Sequence, residues 1–126
     1  MTGDLNKVAI ETLFTLPNGR RFWAEVTTDT SMAPAYLSGD AVLVERCLIG
    51  QLKIGDHAVF VQKNRLAIHP VIKKQPKTVI TKGINNDKLD PPLTEKALLG
   101  KALKRRRPLI NKVKNLIYSA NQFFLF

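Results

Sequence analysis

The feature that most constrains this chain is a device used twice: a Gly-Asp pair followed at once by a run of β-branched and aliphatic residues. Gly39-Asp40 leads into Ala41–Glu45 (AVLVE), and Gly55-Asp56 leads into His57–Gln62 (HAVFVQ). Glycine reverses the chain at little steric cost, aspartate closes such turns through its side chain, and the run that follows has strand chemistry. Other runs share this character. Residues 21–27 (RFWAEVT) put Phe22, Ala24 and Val26 on one face and Trp23 and Glu25 on the other. Residues 65–72 (RLAIHPVI) return across a Lys63-Asn64 turn as a hairpin partner, Thr78–Thr81 (TVIT) is a further strand, and 97–103 is a last one. Short strands with turn signals roughly every eight to twelve residues predict a mainly β body. Ahead of them, the apolar spacing of residues 5–16 fits a short amphipathic helix as well as a strand, and Pro17–Gly19 is a turn.

A chain of 126 residues is one ordinary domain. It divides into residues 1–19 (helix or strand, then turn), a β domain over 20–103, and a tail over 104–126. The net charge of +10 is concentrated at this end of the chain: residues 101–126 hold 7 of the 20 Lys/Arg and none of the 10 acids. From Pro108 to Phe126, apolar residues recur at 109, 110, 113, 116, 117, 120, 123 and 124, the stripe of an amphipathic helix. A basic start followed by such a stripe suits an anionic membrane surface, reached through residues 104–126, or equally a helix packed on the domain. Arg105-Arg106-Arg107 alone could meet nucleic acid, but no helix-turn-helix or aromatic-interleaved RNA motif accompanies it, so nucleic acid is not an expected partner.

No signal peptide and no apolar stretch of about 18 residues is visible, which predicts a cytoplasmic or peripheral-membrane protein without a transmembrane helix. The one cysteine, Cys47, excludes an internal disulfide and reads as a small buried residue. No Cys/His cluster has ligand spacing, so neither a metal nor another cofactor is expected.

The segment before the first Gly-Asp strand carries chemistry. Ser31 ends a polar stretch, Met32 offers an apolar wall, and Pro34 restrains the chain behind them. A serine becomes a nucleophile when a base takes its proton and donors hold the oxyanion. His69, in a strand of otherwise apolar residues, is the candidate base, because a neutral imidazole accepts a proton near pH 7 with little tuning. Lys63, Lys73 and Lys74 lie at turns and strand ends and read as solvated; His57 reads as a surface residue after a turn. Asp40 and Asp56 read as turn formers.

Ser31-Met32-Ala33-Pro34, a spacer, Gly39-Asp40 and a Val-Leu-Val run resemble the nucleophile box of the type I signal peptidases and of their relatives, the self-cleaving repressor domains of the LexA type. Further matches follow in order: 54–60 (IGDHAVF) is similar to the second Gly-Asp strand, 66–72 (LAIHPVI) to the strand bearing the base, 81–90 (TKGINNDKLD) to the Lys-Gly-Asp-Asn-Asn loop with a later aspartate, and 99–102 (LGKA) to the closing strand. The resemblance implies a signal-peptidase/LexA-like β-ribbon barrel fold with a C-terminal amphipathic helix. It also implies a serine endopeptidase that cleaves signal or leader peptides after small residues. Ser31 would be the nucleophile, His69 the base as in the family's histidine branch, and Asp90 the carboxylate behind it, with Asp87 the spare; Met32 and Pro34 would bind substrate. The expected partner is a peptide or protein carrying a leader or signal sequence. The repressor branch uses lysine and cuts an Ala-Gly or Cys-Gly bond, and neither dipeptide occurs here. Three positions depart from the pattern: Asp29 near the oxyanion side, Pro70 after the histidine in place of arginine, and Ile84 in place of an acid. These keep open a catalytically degenerate module that binds peptide or membrane.

Overall fold

The computed structural model describes residues 10–25, 32, 35–37, 39–63 and 65–109. Among the described residues seven strands form one antiparallel sheet: β1 (Arg21–Glu25), β2 (Ala41–Glu45), β3 (His57–Gln62), β4 (Arg65–Lys74), β5 (Thr78–Thr81), β6 (Leu93–Thr94) and β7 (Leu98–Arg106). Their spatial order is β1-β2-β7-β3-β4-β5-β6. The last long strand is therefore inserted between the two Gly-Asp strands. The mainly β expectation holds. The helix expected at the C-terminus lies outside the described residues beyond Leu109, and of the N-terminal segment residues 10–14 are helical.

Both Gly-Asp pairs build the same turn. Gly39 and Gly55 have φ of 94° and 96°, the left-handed region that the third position of a type II turn requires. In each the aspartate amide donates back to the carbonyl three residues earlier, Asp40 to Leu37 at 2.9 Å and Asp56 to Lys53 at 3.0 Å. Each aspartate carboxylate accepts the amide of that same residue, Leu37 N at 2.9 Å and Lys53 N at 2.8 Å. The turn is thus closed from both ends, and the next residue enters a strand.

Alternation along β3 and β4 divides the apolar side chains between the two sheet faces. Ala58, Phe60, Ala67 and Val71 join Cys47, Ile49, Leu52, Val79, Leu93 and Leu98 in one core. Val59, Leu66 and Ile68 join Val42, Val44 and Leu99 in a second, covered by Leu13, Phe14, Phe22 and Tyr36. Arg46 ties the helical stretch to this frame. Its guanidinium donates to the carbonyls of Phe14, Leu16, Leu98 and Leu99 and lies over the Phe14 ring. The Phe14 and Leu16 carbonyls lie at the end of the helical stretch, where carbonyls lack a partner within the helix, and the cation supplies one.

The tail of β7 departs from the sequence reading. The strand runs to Arg106, past the expected end at Leu103. Arg105 donates to the Ala35 carbonyl, Arg106 stacks over Trp23 at 4.4 Å, and Arg107 is engaged with Asp40. Each arginine of the triple run therefore has an intramolecular partner.

Candidate active site

His69 lies in β4, opposite Ala58 of β3. Because Ala58 is small, the imidazole can turn inward, where it meets the Phe60 ring edge-on with centroids 5.5 Å apart. The residue is only 4% exposed. Its Nδ1 stands 2.5 Å from Oδ2 of Asp90. Asp90 is carried by the segment after β5 and is held there twice: its amide donates to the Thr81 carbonyl at 2.9 Å, and Thr81 Oγ1 donates to the same Oδ2 at 2.7 Å. A carboxylate only accepts hydrogen bonds, so the contact puts the ring proton on Nδ1. In the neutral ring Nε2 is then the basic nitrogen, the tautomer a general base needs. Asp87, the spare candidate, is exposed.

Pro70 sits beside the histidine without breaking the sheet. Val71 donates to the Asp56 carbonyl on the β3 side at 2.8 Å, so the proline nitrogen one residue earlier turns the other way. On that side the β4–β5 ladder begins only at Val71↔Thr81, and no ladder bond needs a Pro70 donor. Its carbonyl accepts the Lys82 amide at 3.2 Å, which starts the Asp90-bearing segment next to His69.

Ser31 and Pro34 lie outside the described residues, as does Asp29. Met32 is described and is 4% exposed. Its sulfur accepts the Ile84 amide at 3.3 Å, and its carbonyl accepts the Tyr36 amide at 3.0 Å. The residue that follows Ser31 is therefore seated against the same 82–90 segment that carries Asp90. Its burial makes it a fixed support more than the open apolar wall expected of a substrate contact. Ile84, where the resemblance has an acid, gives its amide to this support and leaves its side chain 53% exposed.

The chain matches no protein-family model and no curated protein. The assignment of chemistry thus rests on the residues themselves.

Sequence reasoning missed several members of the site. Thr81 looked like an ordinary strand residue; its hydroxyl steadies Asp90 because strand alternation turns it inward. His57, expected at the surface, is half-buried, and its Nδ1 stands 2.7 Å from the Tyr36 hydroxyl. Burial lowers its pKa from the ordinary histidine value, against an opposing pull from Asp56. Burial likewise raises the Tyr36 phenol, with Arg105 opposing. The tautomer of the neutral ring sets the direction of that bond: the phenol donates to a bare Nδ1, or an Nδ1–H donates to the phenol oxygen. Lys63, Lys73 and Lys74 are exposed, as a solvated lysine should be. Among the described residues no group of three or more His, Cys, Asp or Glu could hold a metal ion, and no helix is long and apolar enough to cross a membrane.

Proposed function

We propose that this protein is a serine endopeptidase of the signal-peptidase type, acting on leader or signal peptides with small residues before the cut. Ser31 is the nucleophile, His69 the general base and Asp90 the group that orients it. The observation that carries the reading is the buried His69–Asp90 contact at 2.5 Å, braced by Thr81. A purely structural histidine needs a partner, but not a carboxylate held by two further bonds with the ring tautomer fixed. The seat of Met32 against the Asp90-bearing segment adds support, since Ser31 is its neighbour in the chain.

In this reaction Ser31 Oγ attacks the scissile carbonyl while its proton passes to His69 Nε2. The imidazolium that forms is stabilised by Asp90, and it then protonates the leaving amine. Water repeats the sequence on the acyl-enzyme: it gives a proton to Nε2, releases the acid and regenerates the serine. Buried surroundings strengthen the charge pairing between imidazolium and carboxylate.

The membrane reading concerns residues 104–126, of which Lys104, Arg105 and Arg106 are exposed while Arg107 is taken up by Asp40. Sedimentation with vesicles of phosphatidylglycerol, against neutral vesicles, tests that part separately.

The decisive experiment uses an Ala-X-Ala peptidyl phosphonate, which phosphonylates an activated serine. Labelling at Ser31, abolished in Ser31→Ala and reduced about 10²–10⁴-fold in His69→Ala, supports the peptidase. No labelling of the folded wild type between about pH 5 and about pH 8, the range in which histidine titrates, refutes it and leaves a binding module.

A further inference from the structure

The basic run at the end of β7 reads from sequence as the start of a segment suited to an anionic membrane surface. Two of its arginines instead point at the segment that follows Ser31. Arg107 Nε and Nη2 reach the Asp40 carboxylate at 2.9–3.2 Å, and Nη2 also donates to the Ala35 carbonyl at 3.2 Å. Arg105 donates to the same carbonyl. The ion pair is enclosed, with Asp40 fully buried and the Arg107 side chain 7% exposed. Asp40 is at the same time the residue that closes the turn onto Leu37.

We propose that Arg107 is a positioning residue for the nucleophile, acting through this pair; the inference rests on the peptidase reading above. The chain of contacts is continuous. The guanidinium fixes Asp40 and the Ala35 carbonyl, the Tyr36 amide next to Ala35 holds the Met32 carbonyl, and Met32 is the neighbour of Ser31. On its other side Met32 rests on the Ile84 amide, in the segment bearing Asp90. The planar fork of arginine fits a carboxylate and a carbonyl together; the point charge of lysine does not. The twin turn at Gly55-Asp56 shows what is special here. It closes by the same two bonds without an arginine fork, so the turn itself does not need one. The fork serves the stretch before Asp40, where a displacement of about 1 Å would cost on the order of 10²-fold in rate.

The test compares wild type with Arg107→Gln, Arg107→Lys and Arg105→Gln in the full chain, each first confirmed as folded by thermal melting. Two readouts are taken: the Ser31 phosphonate labelling rate against the probe's half-saturation concentration, and amide hydrogen exchange at Tyr36, Leu37 and Asp40. The expectation for Arg107→Gln and Arg107→Lys is a labelling rate constant lower by about 10–10²-fold at nearly unchanged half-saturation, with faster exchange confined to those amides. Arg105→Gln, which loses one bond only, falls between. Should Arg107→Gln fail to fold, Arg107→Lys and Arg105→Gln decide. Wild-type labelling in the folded Arg107 variants overturns the proposal, whatever the exchange shows. Faster exchange in a protein whose wild type never labels overturns the peptidase reading and the positioning role with it, leaving a brace alone.

Discussion

Nδ1 of His69 and Oδ2 of Asp90 stand 2.5 Å apart, and the same oxygen takes the Thr81 hydroxyl at 2.7 Å. Asp90→Ala removes the acceptor of both donors at once, and two buried polar groups each lose that bond. Each such loss costs about 1–3 kcal/mol. The serine-labelling rate should fall on the order of 10³–10⁴-fold, since the ring loses its tautomer and the imidazolium its counter-charge. Thr81→Val spares the His69–Asp90 bond and should cost about 1 kcal/mol and far less rate. Urea melts and labelling kinetics on both variants check the order; equal losses of rate in the two would contradict it.

Gly100 carries a second prediction. It lies in β7 where that strand passes β2, and a Cβ built there would strike the Glu45 carbonyl, with Val44 Cγ1 at 3.1 Å. Backbone cannot move aside as a side chain can. Gly100→Ala should therefore cost at least about 1–3 kcal/mol, seen as a lower urea midpoint with unchanged slope. Gly50 has nothing within 4 Å of its Cβ position and no positive φ, so Gly50→Ala should stay within about 0.5 kcal/mol.

The strands were legible in the sequence wherever a period of two met a turn signal. β2, β3 and β5 have the ends that the residues dictate, and the faces assigned to Phe22, Ala24, Ala67, His69 and Val71 are those observed. β6 was not legible, because the two residues Leu93–Thr94 carry no period. The end of β7 was missed for a different reason. Charged residues ordinarily mark a strand's end, whereas here Arg105, Arg106 and Arg107 find Ala35, Trp23 and Asp40 across the sheet. Such partners, some 70 residues away, leave no local signature. The meeting of His69 with Asp90 could be anticipated only from motif order; the bracing by Thr81 and the Tyr36–His57 pair had no signal beyond alternation.

Cys47 yields a prediction about alkaline pH. Burial pushes its thiol up to about 11 from 9.0; Lys101 opposes, and Glu95, Asp56 and Glu45 add to the rise. The folded state thus favours the proton more than the unfolded state does. Stability from this group is present below pH 9.0 and is lost as pH rises toward about 11. Iodoacetamide, which needs thiolate and access, should alkylate the native protein far more slowly than the urea-unfolded chain. Cys47→Ser should flatten the alkaline decline in the urea midpoint. Fast native alkylation would mean that the buried environment is open.

His57 sets the opposite dependence on the acid side. Burial lowers its pKa, so the unfolded chain takes up its proton first as pH falls. The contribution of neutral His57 is complete above its unfolded pKa of about 6.5 and is lost progressively below it. The local consequence follows from the Tyr36 contact. In the tautomer whose bare Nδ1 accepts from the phenol, protonation turns that nitrogen into a donor, so the 2.7 Å bond then needs the tyrosine hydroxyl to reverse. The phenol stays protonated through this range, because burial raises its own pKa. Tyr36 also holds the Met32 carbonyl, so amide exchange at Tyr36 should quicken between about pH 6.5 and about pH 5, before global unfolding. His57→Gln keeps an acceptor without a titrating group. It should remove the acid dependence of the urea midpoint in that window while leaving the plateau near neutral pH within about 1 kcal/mol of wild type. If wild type and His57→Gln lose stability in parallel as the pH drops, another group governs the acid limb and the Tyr36–His57 bond is not its sensor.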